Sequence, residues 1–136
     1  KESPLTKLAL ALKTAPGTVL VLQRDPKPGE IKAFQEALGR PVHDFSALND
    51  DLEAMLALLA LLDDYIGVSK TNMHLRAGVG KTARVLVPAP PEWRWMEEGK
   101  ESPWFPGFSV YRQGHDGSWE KAFDILSTDL TQAYDR

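Results

Sequence analysis

Tyr65-Ile66-Gly67-Val68-Ser69-Lys70-Thr71-Asn72-Met73-His74-Leu75-Arg76-Ala77-Gly78-Val79-Gly80-Lys81 is the stretch from which the rest of the chain can be read. It reads as a short buried strand over Tyr65–Val68, a polar turn, and a short helix from about Thr71 to Val79 with Gly at its exit. A second apolar strand, Ala83-Arg84-Val85-Leu86-Val87, follows at once and stops at Pro88. Where a strand ends in Ser, Thr and Asn just as a helix begins, the first helical N–H groups have no partner within the helix. That makes the turn an anion site in waiting.

Upstream, the pattern supplies a sheet to hold this turn. Ser3-Pro4 opens a helix with a cap and a first-turn proline, and Leu5, Leu8, Ala9 and Leu12 repeat on one face until Ala15-Pro16-Gly17. Thr18-Val19-Leu20-Val21-Leu22 is an unbroken apolar run, the mark of a parallel strand covered on both faces. Gln23–Gly29 is a polar loop. The next helix turns Ile31, Phe34 and Leu38 inward and stops at Gly39. Pro41–Phe45 is a weaker strand and Ser46–Asp51 a loop that caps a third helix. Leu52, Met55, Leu56, Leu59 and Leu62 line one face of that helix, broadened by Leu58 and Leu61 into a well-buried element.

Downstream lies a rim or lid. Five prolines and three tryptophans fall between Pro88 and Gly107, in Pro88-Ala89-Pro90-Pro91-Glu92-Trp93-Arg94-Trp95-Met96 and Ser102-Pro103-Trp104-Phe105-Pro106-Gly107. A connection this long inside a compact fold is usually functional. Phe108–Arg112 is a last strand, with Arg112 and Gln113 placed to bond the backbone of the Trp-rich loop. Ser118 then caps a final helix with Trp119, Ala122, Phe123, Leu126, Leu130 and Ala133 on one face. The alternation predicts an α/β fold, a Rossmann-like three-layer domain with a mostly parallel sheet over residues 1–136 and no internal boundary. Ligands of such sheets sit off the carboxyl ends of the strands. Here those ends are Gln23–Lys27, Asp44–Ser46, Ser69–His74 and Pro88–Arg94.

Composition narrows the class. The chain has 136 residues, 43% hydrophobic and 26% charged, which supports a real core and argues against disorder. Net charge is −3 with no basic stripe, so nucleic acid is not an expected partner. No cysteine is present, which removes disulfides and thiolate metal sites and fits a reducing, cytoplasmic setting. The longest apolar run, Met55–Leu62, is too short to span a bilayer, and Lys1-Glu2-Ser3-Pro4 does not lead a signal peptide. Without an initiator Met, the chain reads as a piece of something longer.

Several motifs then resemble one family. Leu62–Ser69, His74–Lys81, Pro91-Glu92-Trp93-Arg94-Trp95, Ser102-Pro103-Trp104-Phe105-Pro106, Tyr111-Arg112-Gln113 and Trp119 together resemble the C-terminal domain of glycosyltransferase family 9, the heptosyltransferase-like enzymes. The likeness is greatest to a bacterial subgroup in which that domain follows tetratricopeptide repeats, and it spans roughly residues 44 to 130. The resemblance implies the C-terminal half of a GT-B fold, which grips a nucleotide-diphosphate-sugar donor. The N-terminal half of the parent chain would bring an acceptor, whose identity is unknown, and the catalytic base. It implies neither a metal nor another cofactor. Many family members carry an Asp-Thr-Gly or Asp-Thr-Ser triplet before the His, where this chain has Ser69-Lys70-Thr71.

The candidate substrate-binding residues follow from rim position and resemblance. Ser69, Thr71 and Asn72 are helix caps on a plain reading and diphosphate ligands on a functional one. Lys70 adds positive charge, and His74, one turn into the helix, is a surface or structural residue on a plain reading and, as the resemblance implies, a donor to phosphate. Arg24 and Lys27 are solvated loop charges or reach to the same anion, and Asp44 is a cap or a ribose partner. Glu92 and Arg94 flank Trp93. Trp93, Trp95, Trp104 and Phe105 read first as a satellite core that pins the loop, and second as a stacking platform. No catalytic residue is assigned. His43, His74 and His115 lack zinc spacing. Gly78-Val79-Gly80-Lys81 ends a helix and so is not a phosphate loop, and no Gly-x-Gly-x-x-Gly follows the first strand, which disfavours a dinucleotide-dependent oxidoreductase. The altered triplet motivates a rival from another class: a non-catalytic, transferase-like scaffold or protein-interaction module beside helical repeats.

Overall fold

The structure is a computed structural model and describes residues 4–68, 71–89, 95–96 and 99–134. Its elements run α1 (Pro4–Leu12), β1 (Val19–Val21), α2 (Glu30–Leu38), β2 (Val42–Asp44), a 3-10 turn (Ser46–Asp50), α3 (Leu52–Leu61), β3 (Ile66–Val68), α4 (Thr71–Gly78), β4 (Arg84–Val87), β5 (Ser109–Arg112) and α5 (Glu120–Tyr134). The order matches the predicted alternation, and every strand pairing is parallel. The chain is therefore an α/β protein with short parallel sheets, compatible with a Rossmann-like domain. The ladders fall into two sets, β1-β2 and β3-β4-β5, where the alternation predicts one sheet. The chain divides correspondingly into two compact units, Lys1–Leu52 with Phe123–Arg136, and Glu53–Ala122.

In the first unit α1 packs on α2, and β1 and β2 pair from Val19↔Val42 to Val21↔Asp44. The α2 helix ends as its sequence requires. Gly39 is left-handed, at φ 81°, and its N–H donates to the Gln35 carbonyl at 3.0 Å. The adjacent Arg40 donates to the carbonyls of Ala15 (2.6 Å) and Lys13 (3.3 Å), tying the end of α2 to the exit of α1. Ser46–Asp50, read as loop, is a 3-10 turn. The Asn49 amide donates to the carbonyls of Ser46 (2.8 Å) and Leu22 (2.9 Å), which closes the turn and anchors it behind β1. β1 is half-buried, not covered on both faces.

In the second unit β4 is the middle strand, between β3 (Ile66↔Arg84 to Val68↔Leu86) and β5 (Arg84↔Ser109 to Val87↔Arg112). Its middle position explains why Val85, Leu86 and Val87 are all buried. Val85 and Val87, two residues apart and so on one face, join Met73, Ala83, Trp95, Phe108 and Val110 in a core, with Tyr65, Ala77 and Phe105 packed against it. Burying each of those valines contributes about 1.5–3 kcal/mol. β3, expected to be buried, lies at one end of the ladder and is only half-buried, with Val68 exposed.

α3 corrects the expectation most clearly. Met55 and Leu59, four residues apart, are buried, but Leu52 is 59% and Leu61 80% exposed. A segment that is apolar all round carries no periodicity to say which face is inside. The exit of α4 is as expected. Gly80 is left-handed at φ 77°, Lys81 N–H donates to the Arg76 carbonyl (3.3 Å) and Gly80 N–H to the Ala77 carbonyl (3.0 Å). These are the paired bonds of a Schellman stop, so Gly78–Lys81 closes a helix. Ser118 Oγ accepts from Glu120 N–H at 3.2 Å at the start of α5, whose Ala122, Phe123, Leu126 and Leu130 are buried while Ala133 is exposed. Ser3, read as the cap of α1, lies outside the described residues.

Candidate functional site

β3 ends at Val68, at the carboxyl end of the parallel ladder, and α4 begins at Thr71; the sequence places an anion site between these two ends. Ser69 and Lys70 lie outside the described residues, as do Glu92, Trp93 and Arg94. Thr71 is the first residue of α4 and is exposed. Asn72 is half-buried, and its side chain is hydrogen-bonded to the Tyr65 hydroxyl. Burial pushes that hydroxyl up to about 12, against the opposing pull of the Asn72 bond. The Tyr65 ring passes close to Gly67. A Cβ there would stand 3.3 Å from the Tyr65 hydroxyl oxygen, tighter than most real contacts, so the bare strand position lets the Tyr65 ring lie close.

His74 is half-buried one turn into α4, and its ring centroid is 5.4 Å from that of Phe105. Phe105 stacks in turn on Trp95, with centroids 4.5 Å apart and planes 16° from parallel. Phe108 completes the group at 5.5 Å from Phe105. Trp95 is only 1% exposed, so this aromatic set belongs to the main core of the unit and not to a satellite. Trp104 is different, at 58% exposed. It rides on a tight turn in which Trp104 N–H donates to Ser102 Oγ (3.2 Å) and Phe105 N–H to the Ser102 carbonyl (3.2 Å). Gly107, at φ 83°, closes that turn against Thr82, whose Cγ2 would lie 2.9 Å from an added Cβ.

Arg112 fixes the loop as its position at the end of β5 suggests. The guanidinium donates to the carbonyls of Gly99 (2.9 Å), Met96 (2.6 Å) and Trp95. Gln113 accepts from Ala89 N–H (2.9 Å) and donates to the Gly117 carbonyl (2.7 Å). One five-donor fork thus holds three carbonyls of an irregular segment, a task that suits Arg better than Lys.

The remaining candidates belong to the first unit and have local partners there. Arg24 donates to the Asn49 carbonyl at 2.8 Å and lies 3.9 Å from Asp50, and the backbone N–H of exposed Lys27 donates to Glu30 Oε1 at 3.2 Å. Asp44 accepts from Ser46 N–H at 2.9 Å, and the Ser46 side-chain and backbone bonds hold its carboxyl below the usual range. Of its two readings, the cap is the geometry observed.

The sequence did not single out Arg76, which is 3% exposed on α4. Its guanidinium donates to the carbonyls of Thr82 (2.8 Å), Leu62 (2.9 Å) and Leu59. Leu59 and Leu62 mark the end of α3, where carbonyls lack helical partners, so Arg76 ties that end to α4 and to the approach to β4. The signal was available: Arg76 stands three residues after buried Met73, on the inward face of α4. Arg84 is a second structural cation. It donates to Asp64 Oδ2 (2.8 Å) and to the Tyr111 hydroxyl (2.9 Å). Burial lowers its pKa, but Asp64 and Tyr111 outweigh that and hold it above the ordinary value. Among the described residues no group of three or more His, Asp or Glu side chains gathers in a metal-binding arrangement.

What the chain defines is thus an α/β protein in which the start of α4, through His74, adjoins the aromatic core of one unit. No protein-family model matches it. It is similar to Protein FlbA of Caulobacter vibrioides (strain ATCC 19089 / CIP 103742 / CB 15), 31% identical over 119 residues that cover 85% of this chain and 20% of FlbA. The chain spans about a fifth of that relative's length. No solved structure matches. Among the described residues no helix is long and apolar enough to cross a membrane.

Proposed function

We propose that this chain is the donor-binding domain of a metal-independent glycosyltransferase, the C-terminal half of a GT-B pair, holding the diphosphate of a nucleotide-sugar at the start of α4. The observation that carries the reading is the placement of Thr71, Asn72 and His74 on the first turns of a helix that opens just past the end of a parallel strand. The family resemblance of the surrounding motifs supports it. Glycosyl transfer leaves negative charge on the departing diphosphate. Helix N–H groups, a hydroxyl, an imidazole and the Lys70 ammonium supply the matching donors without a metal. In a GT-B pair the acceptor and the general base belong to the N-terminal half, so a donor-binding domain by itself is not a complete catalyst. Binding can be measured without knowing the acceptor. Full-length protein titrated with a panel of nucleoside diphosphates and their sugars should bind at least one, and no binding to any would sink the proposal.

The second reading is a transferase-like scaffold that docks a partner beside helical repeats. It is favoured by the exposure of Trp104 and Met96 on the loop that precedes β5. A partner that protects Trp104 from solvent, in a protein that binds no nucleotide, would select it.

A further inference from the structure

We draw no further inference here: the strongest candidate, the exposed Trp104–Met96 surface on the loop leading into β5, carries nothing because nothing in the structure shows what covers it.

Discussion

Replacing Arg76 by Met should destabilise the protein by about 2–4 kcal/mol, and the structure says where the loss arises. Three carbonyls lose their donor: Leu59, Leu62 and Thr82. An unsatisfied buried carbonyl costs about 1–3 kcal/mol, while one that water can reach costs far less. The bond to Leu59 is buried, and those to Leu62 and Thr82 are partly so, so the full penalty falls on the first and a fraction on the others. Removing the charge also recovers its desolvation cost, which keeps the total below the gross sum of three charge-assisted bonds. Met fills most of the vacated volume, which limits the cavity contribution. Arg76→Lys should also destabilise, because one ammonium cannot reproduce the planar fork. Urea unfolding followed by tryptophan fluorescence reads the change as a lower midpoint at constant slope. A loss under about 0.5 kcal/mol for Arg76→Met, the size typical of surface changes, would refute the tie between α3 and α4.

Four further outcomes follow from the same contacts. Trp95→Ala should cost about 3–5 kcal/mol as a core truncation, whereas Trp104→Ala should stay within about 0.5 kcal/mol; equal losses in urea unfolding would contradict their opposite burial. Gly107→Ala should cost about 1–3 kcal/mol, since it adds both left-handed strain and a contact with Thr82, and a thermal melt at or above wild type would rule that out. Tyr65 has a folded pKa of about 12 against an ordinary 10, so its contribution is whole below pH 10 and fades as pH rises towards 12, by at most about 3 kcal/mol. Tyr65→Phe should flatten stability over that window, and an unchanged slope would show that the hydroxyl is not buried. His74→Ala should weaken nucleoside-diphosphate binding roughly tenfold, the worth of one charge-assisted hydrogen bond, without a matching loss of fold; unchanged affinity in equilibrium titration would remove His74 from the site.

The order of elements was legible because each carried its own punctuation. Gly39 and Gly80 stop helices in left-handed geometry, Ser118 starts one, and the apolar runs at Val19 and Val85 are strands, although only the second is buried. Three things were not legible. The leucines of α3 are apolar on every face, so the exposure of Leu52 and Leu61 is set by tertiary packing alone. The division of the ladders into two sets depends on which strands meet, and local pattern does not specify that. Within the Trp-rich segment, proximity in sequence hid opposite fates: Trp95 entered the core and Trp104 stayed outside. At the candidate site Thr71 and Asn72 read as caps from turn chemistry and His74 as a ligand from the resemblance; the structure leaves Thr71 exposed at the start of α4, bonds the Asn72 side chain to the Tyr65 hydroxyl and sets His74 beside Phe105. Tyr65 and Gly67 read only as strand, because the bond of the Tyr65 hydroxyl to Asn72 and the close approach of its ring to Gly67 have no signature in spacing. Arg24 and Asp44 stood at the right edge in sequence terms, yet the structure gives each a local partner.

The most direct test of the account is calorimetric titration of the full-length protein with nucleoside diphosphates and their sugars, first with a chelator present and then with a divalent cation in excess of it. The account predicts that at least one nucleotide-sugar binds, that its affinity survives chelation, and that pyrophosphate competes for the same site. Absence of binding by every member of the panel, or binding that appears only when a divalent cation is restored, would contradict it.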